Sequence, residues 1–176
     1  MNYEADKWIY KPDYNNQVRY LLGTKGQKPL LCVGINPSTA EPEKLDNTLR
    51  SVQRLTLNNG YDSWIMINIY PQRATNPNDL HLEIDLEIHK KNLIEINSIL
   101  NETQVDIWAA WGTIIEKRNY LRRCLSDIYN LTLDKKCRWL NLGKVSKNGH
   151  PHHPLYLNSQ EKAKDFDIVN YIDKQS

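Results

Sequence analysis

Four short stretches of this 176-residue chain carry side chains that could do chemistry. The run "GINPSTA" (Gly34–Ala40) holds Asn36, Ser38 and Thr39 just after an apolar segment. "WIMINIYP" (Trp64–Pro71) holds Asn68 and Tyr70. "WGT" (Trp111–Thr113) follows another apolar segment, and "KNGHPHHPLY" (Lys147–Tyr156) carries three histidines between prolines. An asparagine presents a donor and an acceptor side by side, which matches the edge of a nucleobase. Aromatic faces can stack on such a base. A histidine can move a proton or donate to developing negative charge. Singly, each is also a common turn or capping residue.

What brings them together is the order of elements. Leu30–Ile35 reads as a strand buried on both faces, as a central parallel strand should be. Leu45, Leu49, Val52 and Leu55 then recur at helical spacing, and "NNG" (Asn58–Gly60) stops that helix. Trp64–Tyr70, Val105–Trp111 and Cys137–Gly143 read as three further strands. Ile84, Ile88, Ile96 and Leu100 outline a helix, as do Ile114, Leu121, Leu125 and Ile128 behind a Thr113–Glu116 capping box. A last helix, capped at Asn158 and Glu161, would carry Phe166, Val169 and Ile172. Strict alternation of strand and helix predicts one three-layer α/β/α sandwich with a four-stranded central parallel sheet. Residues 1–28 are expected to be an irregular or short helical cover, and 29–176 the core of a single domain. In such sheets ligands bind outside the carboxyl ends of the strands, so the four stretches fall on one edge.

Composition narrows the function classes. With 23 basic and 21 acidic side chains the net charge is +2, which neither demands nor excludes nucleic acid. Ten Tyr and five Trp against one Phe favour aromatics with a polar handle, suited to half-wet pockets. The cysteines Cys32, Cys124 and Cys137 share no metal or redox spacing and read as reduced thiols of a cytoplasmic protein. "MNYEADKWIY" lacks a secretory pattern, and no apolar run approaches a membrane span. The prolines around His150, His152 and His153 force an extended path without a fourth ligand, so neither metal nor other cofactor is expected. His81 and His89 lie on a polar helix face and read as solvated.

The motifs resemble those of the uracil-DNA glycosylase superfamily, in the same order, from about Leu30 to Leu157. "GINPS" is similar to the first motif of its mismatch-specific branch, and "IMINIY" to the strand whose Asn reads the pyrimidine edge. "AAWGTIIEKR" is similar to its strand-to-helix step, and "HPHHPLY" to the His-Pro loop carrying a wedge leucine. A nearer resemblance, through "NPSTA", "DNT", "PQRATNP", "AAWG" and "LGKVSKNGHPHHPLYL", is to a bacterial and phage family of unknown function numbered sixteen forty-three, which brings no established activity.

The superfamily resemblance implies a glycosylase-like fold, with nucleic acid or a nucleotide as partner. Position by position, it implies that Asn36 positions water and Asn68 reads a base. His153, or alternatively His150, would face the base oxygen, and Leu155 would fill the gap left by a flipped nucleotide. The pattern departs at the stacking aromatic, whose place is taken by Leu49; Tyr70 or Trp111 would substitute. Two functions follow: a DNA glycosylase-like hydrolase, or a binding module without base-excision chemistry. Ser38 and Thr39 serve either as helix cap or as ligand contacts. Asp46 and Thr48 are read the same way. Arg73 could hold a phosphate. Gly112 is read with Trp111 at the strand end. Lys147, with Lys144, flanks the histidine loop and meets either solvent or phosphate.

Overall fold

A computed structural model describes residues 4–175. Residues 1–3 of the expected cover lie outside the described residues. The four anticipated strands form: β3 (Pro29–Gly34), β4 (Ser63–Asn68), β5 (Asp106–Ala109) and β6 (Trp139–Leu142). β3 and β4 are buried along their whole length, which is why they read as continuous apolar runs rather than alternating ones. β3 pairs in parallel with β4 on one side and β5 on the other, and β5 pairs in parallel with β6.

The expected four-stranded sheet is corrected to seven strands among the described residues. The segment expected as an irregular or helical cover is a hairpin of β1 (Trp8–Pro12) and β2 (Arg19–Thr24), with β2 antiparallel to β4. Asn16 takes a φ of 59° in its turn, a conformation that asparagine tolerates. At the other edge, β7 (Ala163–Asp165) runs antiparallel to β6, giving the order β1-β2-β4-β3-β5-β6-β7. The helix expected from Asn158 is replaced there. The Asn158 side chain accepts from the Gln160 amide in a turn, and the helix begins only after β7.

Among the described residues, four helices cover the sheet: α1 (Asn47–Asn58), α2 (Leu86–Glu102), α3 (Tyr120–Asn130) and α4 (Ile168–Gln175). Leu49, Val52 and Leu55 of α1 pack with Leu30, Cys32, Trp64, Met66 and Trp108 on one face. The other face buries Leu31, Val33, Ile65, Ile67 and Ile107 against Ile96 of α2, Leu121 and Leu125 of α3 and Tyr171 of α4. Successive strand residues alternate between these clusters, as the pleat requires. This alternation decides which face each strand-end side chain meets. Asp46, not Ser38 or Thr39, caps α1, its carboxylate accepting from the Leu49 amide at 2.9 Å. The expected Thr113–Glu116 box does not form. Residues 112–117 make a 3-10 turn without a side-chain cap, because Glu116 is engaged by a histidine.

Candidate functional site

Asn68 ends β4 directly opposite Gly34 of β3. It lies on the α1 side of the sheet, in step with Trp64 and Met66. It is fully buried, and neither its Nδ2 nor its Oδ1 finds a partner among the described residues. Its backbone carbonyl is held by the Asn92 side chain of α2, which donates at 2.9 Å. Gly34 is required for space: a Cβ there would lie 3.1 Å from Asn68 Oδ1 and 2.5 Å from Met66 Cε. Glycine at the close of β3 thus leaves room for the amide.

The loop after β3 is fastened from two sides. Asn36 Nδ2 donates to the carbonyls of Pro37 (3.0 Å) and Ala74 (2.7 Å), which ties this loop to the one after β4. Ser38 and Thr75 hydroxyls meet at 3.1 Å, while Thr39 is exposed. Arg73 donates to the carbonyls of Ser38 and Ala40 and to the Tyr10 hydroxyl. Arg19, 1% exposed, donates to the same Ala40 carbonyl at 3.0 Å. Burial, then the neighbouring Arg73, pull Arg19 down to about 10, against Asp46. Thr48 is half-buried in the first turn of α1.

The histidine loop closes over Gly112. The Gly112 amide donates to Pro151 O at 2.9 Å, and its φ of 63° is one that a side chain adopts only under strain. A Cβ there would lie 3.3 Å from His153 Cβ. His150 is fully buried between Tyr171 Oη (2.7 Å from Nδ1) and Glu116 Oε1 (2.7 Å from Nε2). Trp111 Nε1 donates to the same Tyr171 hydroxyl at 3.0 Å. All these groups are satisfied by one directional chain, from indole N–H to phenol, phenol O–H to His150 Nδ1, and Nε2–H to carboxylate. His150 therefore anchors the loop.

His153 is placed otherwise. Its Nδ1 accepts from the Leu155 amide at 3.3 Å, which sets the neutral ring as the Nε2–H tautomer. Burial lowers its pKa, with Asp46 opposing. His153 can thus present an N–H donor without a charge. It lines a cavity of about 330 Å³ together with Trp111, Gly112, Thr113, His150 and Tyr156. Asn36 and Asn68 are not among that cavity's walls. Leu155 is 44% exposed beside it, and Lys144 and Lys147 are exposed on the same loop.

Tyr70 is brought elsewhere. Fully buried on the α2 and α3 face, its hydroxyl accepts from the Asp85 amide at 3.0 Å and meets His81 Nδ1 at 2.7 Å. Its ring packs on Tyr120. Trp111 is likewise fully buried against Trp139, Phe166 and Tyr171. Both rings are occupied by core neighbours. The expectation of solvated histidines is corrected for His89, which is 5% exposed and pairs with Asp127 at 2.9 Å, whereas His81 is exposed and meets Tyr70 Oη with one ring nitrogen.

Sequence reading passed over Arg19, Asn92, Glu116 and Tyr171 as parts of this edge. A lone arginine directly before the apolar run Tyr20–Leu22 was the available signal for Arg19; the others looked like helix residues. Among the described residues no group of three or more His, Cys, Asp and Glu is disposed to hold a metal ion, and no helix is long and apolar enough to cross a membrane. No curated protein matches the chain, nor does any solved structure. A family model does match, running from Arg19 through Leu155 and so spanning the hairpin arginine, the Gly34–Ala40 loop, Asn68 and the histidine loop. The chain belongs to the family described as "Protein of unknown function (DUF1643)", which covers residues 19–155.

Proposed function

We propose that this protein recognises a nucleobase at the carboxyl edge of its parallel strands, in a nucleotide or in nucleic acid, on a glycosylase-like sheet. The observation that carries this reading is the Asn68 amide, fully buried with donor and acceptor both unpartnered among the described residues. Leaving such a group unsatisfied costs about 1–3 kcal/mol, a penalty that a ligand with a complementary donor–acceptor edge would remove. Entry to Asn68 requires a neighbour to move. Met66, whose Cε lies against Gly34, is the flexible one. The neutral His153, with Nε2–H as a donor, supports a role toward negative charge on a departing base.

Cleavage of an N-glycosidic bond is the activity to assay first. Oligonucleotides carrying uracil, mismatched or modified bases, beside free nucleotides, are incubated with protein and scored for abasic sites or released base. Product formation abolished in Asn68→Leu supports the glycosidase. A second reading, a binding module without turnover, is favoured by Asn36, whose Nδ2 is already engaged by two loop carbonyls. An asparagine also cannot serve as a general base. Base binding without product, lost in Asn68→Leu, supports the module. Binding and turnover both unchanged in Asn68→Leu would refute the role of Asn68 in either reading.

A further inference from the structure

Two arginines at the same strand edge have no carboxylate partner among the described residues. Arg19 is 1% exposed and Arg73 half-buried, and both donate to the one carbonyl of Ala40. Two like charges are therefore held side by side in a poorly solvated place. Among the described residues neither forms an ion pair with a carboxylate. Each also keeps a buried Nε–H without an acceptor. The carboxylates that act on this cluster from further off are engaged elsewhere. Asp46 accepts from the Leu49 amide, and Glu41 from Asn16 Nδ2 at 2.8 Å. Buried cations are ordinarily paired, and guanidinium forks suit the oxygens of a phosphate.

The surroundings fit an oxyanion. The carbonyls now bound, those of Ser38 and Ala40, are neutral acceptors in the Gly34–Ala40 loop at the carboxyl end of β3. Charged acceptors make the stronger bond, so a phosphate can take over these donors. The Ser38 and Thr75 hydroxyls meet beside them, and Thr39 stands exposed.

We infer that Arg19 and Arg73, with the Ser38–Thr39 loop, form a binding site for the phosphate monoester of a small ligand. This site stands on the arginine pair and does not need the base-reading role of Asn68. If it holds, the nucleobase ligand of the preceding section would be a nucleotide rather than a free base.

The test uses the whole protein. The 15N-labelled Nε–H signals of Arg19 and Arg73 are followed while inorganic phosphate, ribose 5-phosphate, a nucleoside monophosphate or the matching nucleoside is added, with chloride as the ionic control. Saturable shifts with ribose 5-phosphate that exceed those with chloride support the site. Inorganic phosphate acting alone would mark a free-phosphate site and refute the monoester. Arg73→Gln, checked for folding by thermal unfolding, should weaken ribose 5-phosphate binding at least tenfold, with Arg73→Lys partly restoring it. Equal responses to nucleoside and nucleoside monophosphate, or no effect of Arg73→Gln in a folded protein, would overturn the phosphate site while leaving the Asn68 reading standing.

Discussion

Tyr171→Phe removes a single oxygen and should be among the more damaging conservative changes in the protein. That oxygen accepts from Trp111 Nε1 at 3.0 Å and meets His150 Nδ1 at 2.7 Å. Trp111 and His150 are fully buried, so neither can turn to water when it is gone. Each orphaned group costs about 1–3 kcal/mol, and since the two share one lost atom a combined loss of about 2–4 kcal/mol is expected. For a domain of this size that is a fall in Tm of roughly 4–16 °C. Urea unfolding at neutral pH, followed by tryptophan fluorescence, measures the first quantity and calorimetry the second. Tyr156→Phe is the control, because Tyr156 is 78% exposed and should change little. Glu116→Gln should cost less than Tyr171→Phe, since the glutamine amide oxygen can still accept from His150 Nε2–H and only the charge of the acceptor is lost. A Tyr171→Phe protein as stable as wild type would show that the indole–phenol–imidazole chain is not what holds the histidine loop.

Four other outcomes are expected. Gly112→Ala should lose about 1–2 kcal/mol from its left-handed backbone, with extra loss where the new methyl meets His153, read by the same urea assay. His153 has its folded pKa lowered by burial, so the unfolded chain binds its proton first. Stability from this residue is full above its ordinary value of about 6.5 and declines as pH falls toward the lowered value, and His153→Gln should flatten that slope in pH-dependent unfolding. Asn68→Leu should leave stability unchanged or raise it, because an unsatisfied amide is replaced by an apolar group of similar shape, whereas Asn92→Leu should lower it by breaking the bond to the Asn68 carbonyl. Binding of a labelled single-stranded oligonucleotide should weaken with salt, and Lys147→Ala should reduce the log–log slope by about 0.7 if that exposed lysine meets a phosphate; an unchanged slope would remove it from the interface.

Much of this protein was legible one residue at a time. β3 and β4 declared themselves because both faces are covered, so every position must be apolar. Helix α1 could be read from Leu49, Val52 and Leu55, and its end from Asn59 and Gly60, because helical period and left-handed backbone are local properties. The flanking strands were not legible. β1 has only Trp8, Ile9 and Tyr10 before Lys11 and Pro12 interrupt it, and β7 has three residues of which two are exposed, so neither shows a sustained strand pattern, and their identity rests on pairing with β2 and β6. The family stretch was recognisable from its motifs, and residues 19–155 match it. What the motifs left open was how each side chain is engaged. His150 and His153 sit three apart in one loop, yet one is held at both nitrogens and the other keeps a free Nε2–H. Asn36 and Asn68 both stand at the carboxyl ends of strands, but one amide ties loop carbonyls while the other is buried without a partner among the described residues. Residue type sets what a group can donate or accept; only the packing of elements far apart in the chain decides which of those bonds are already made.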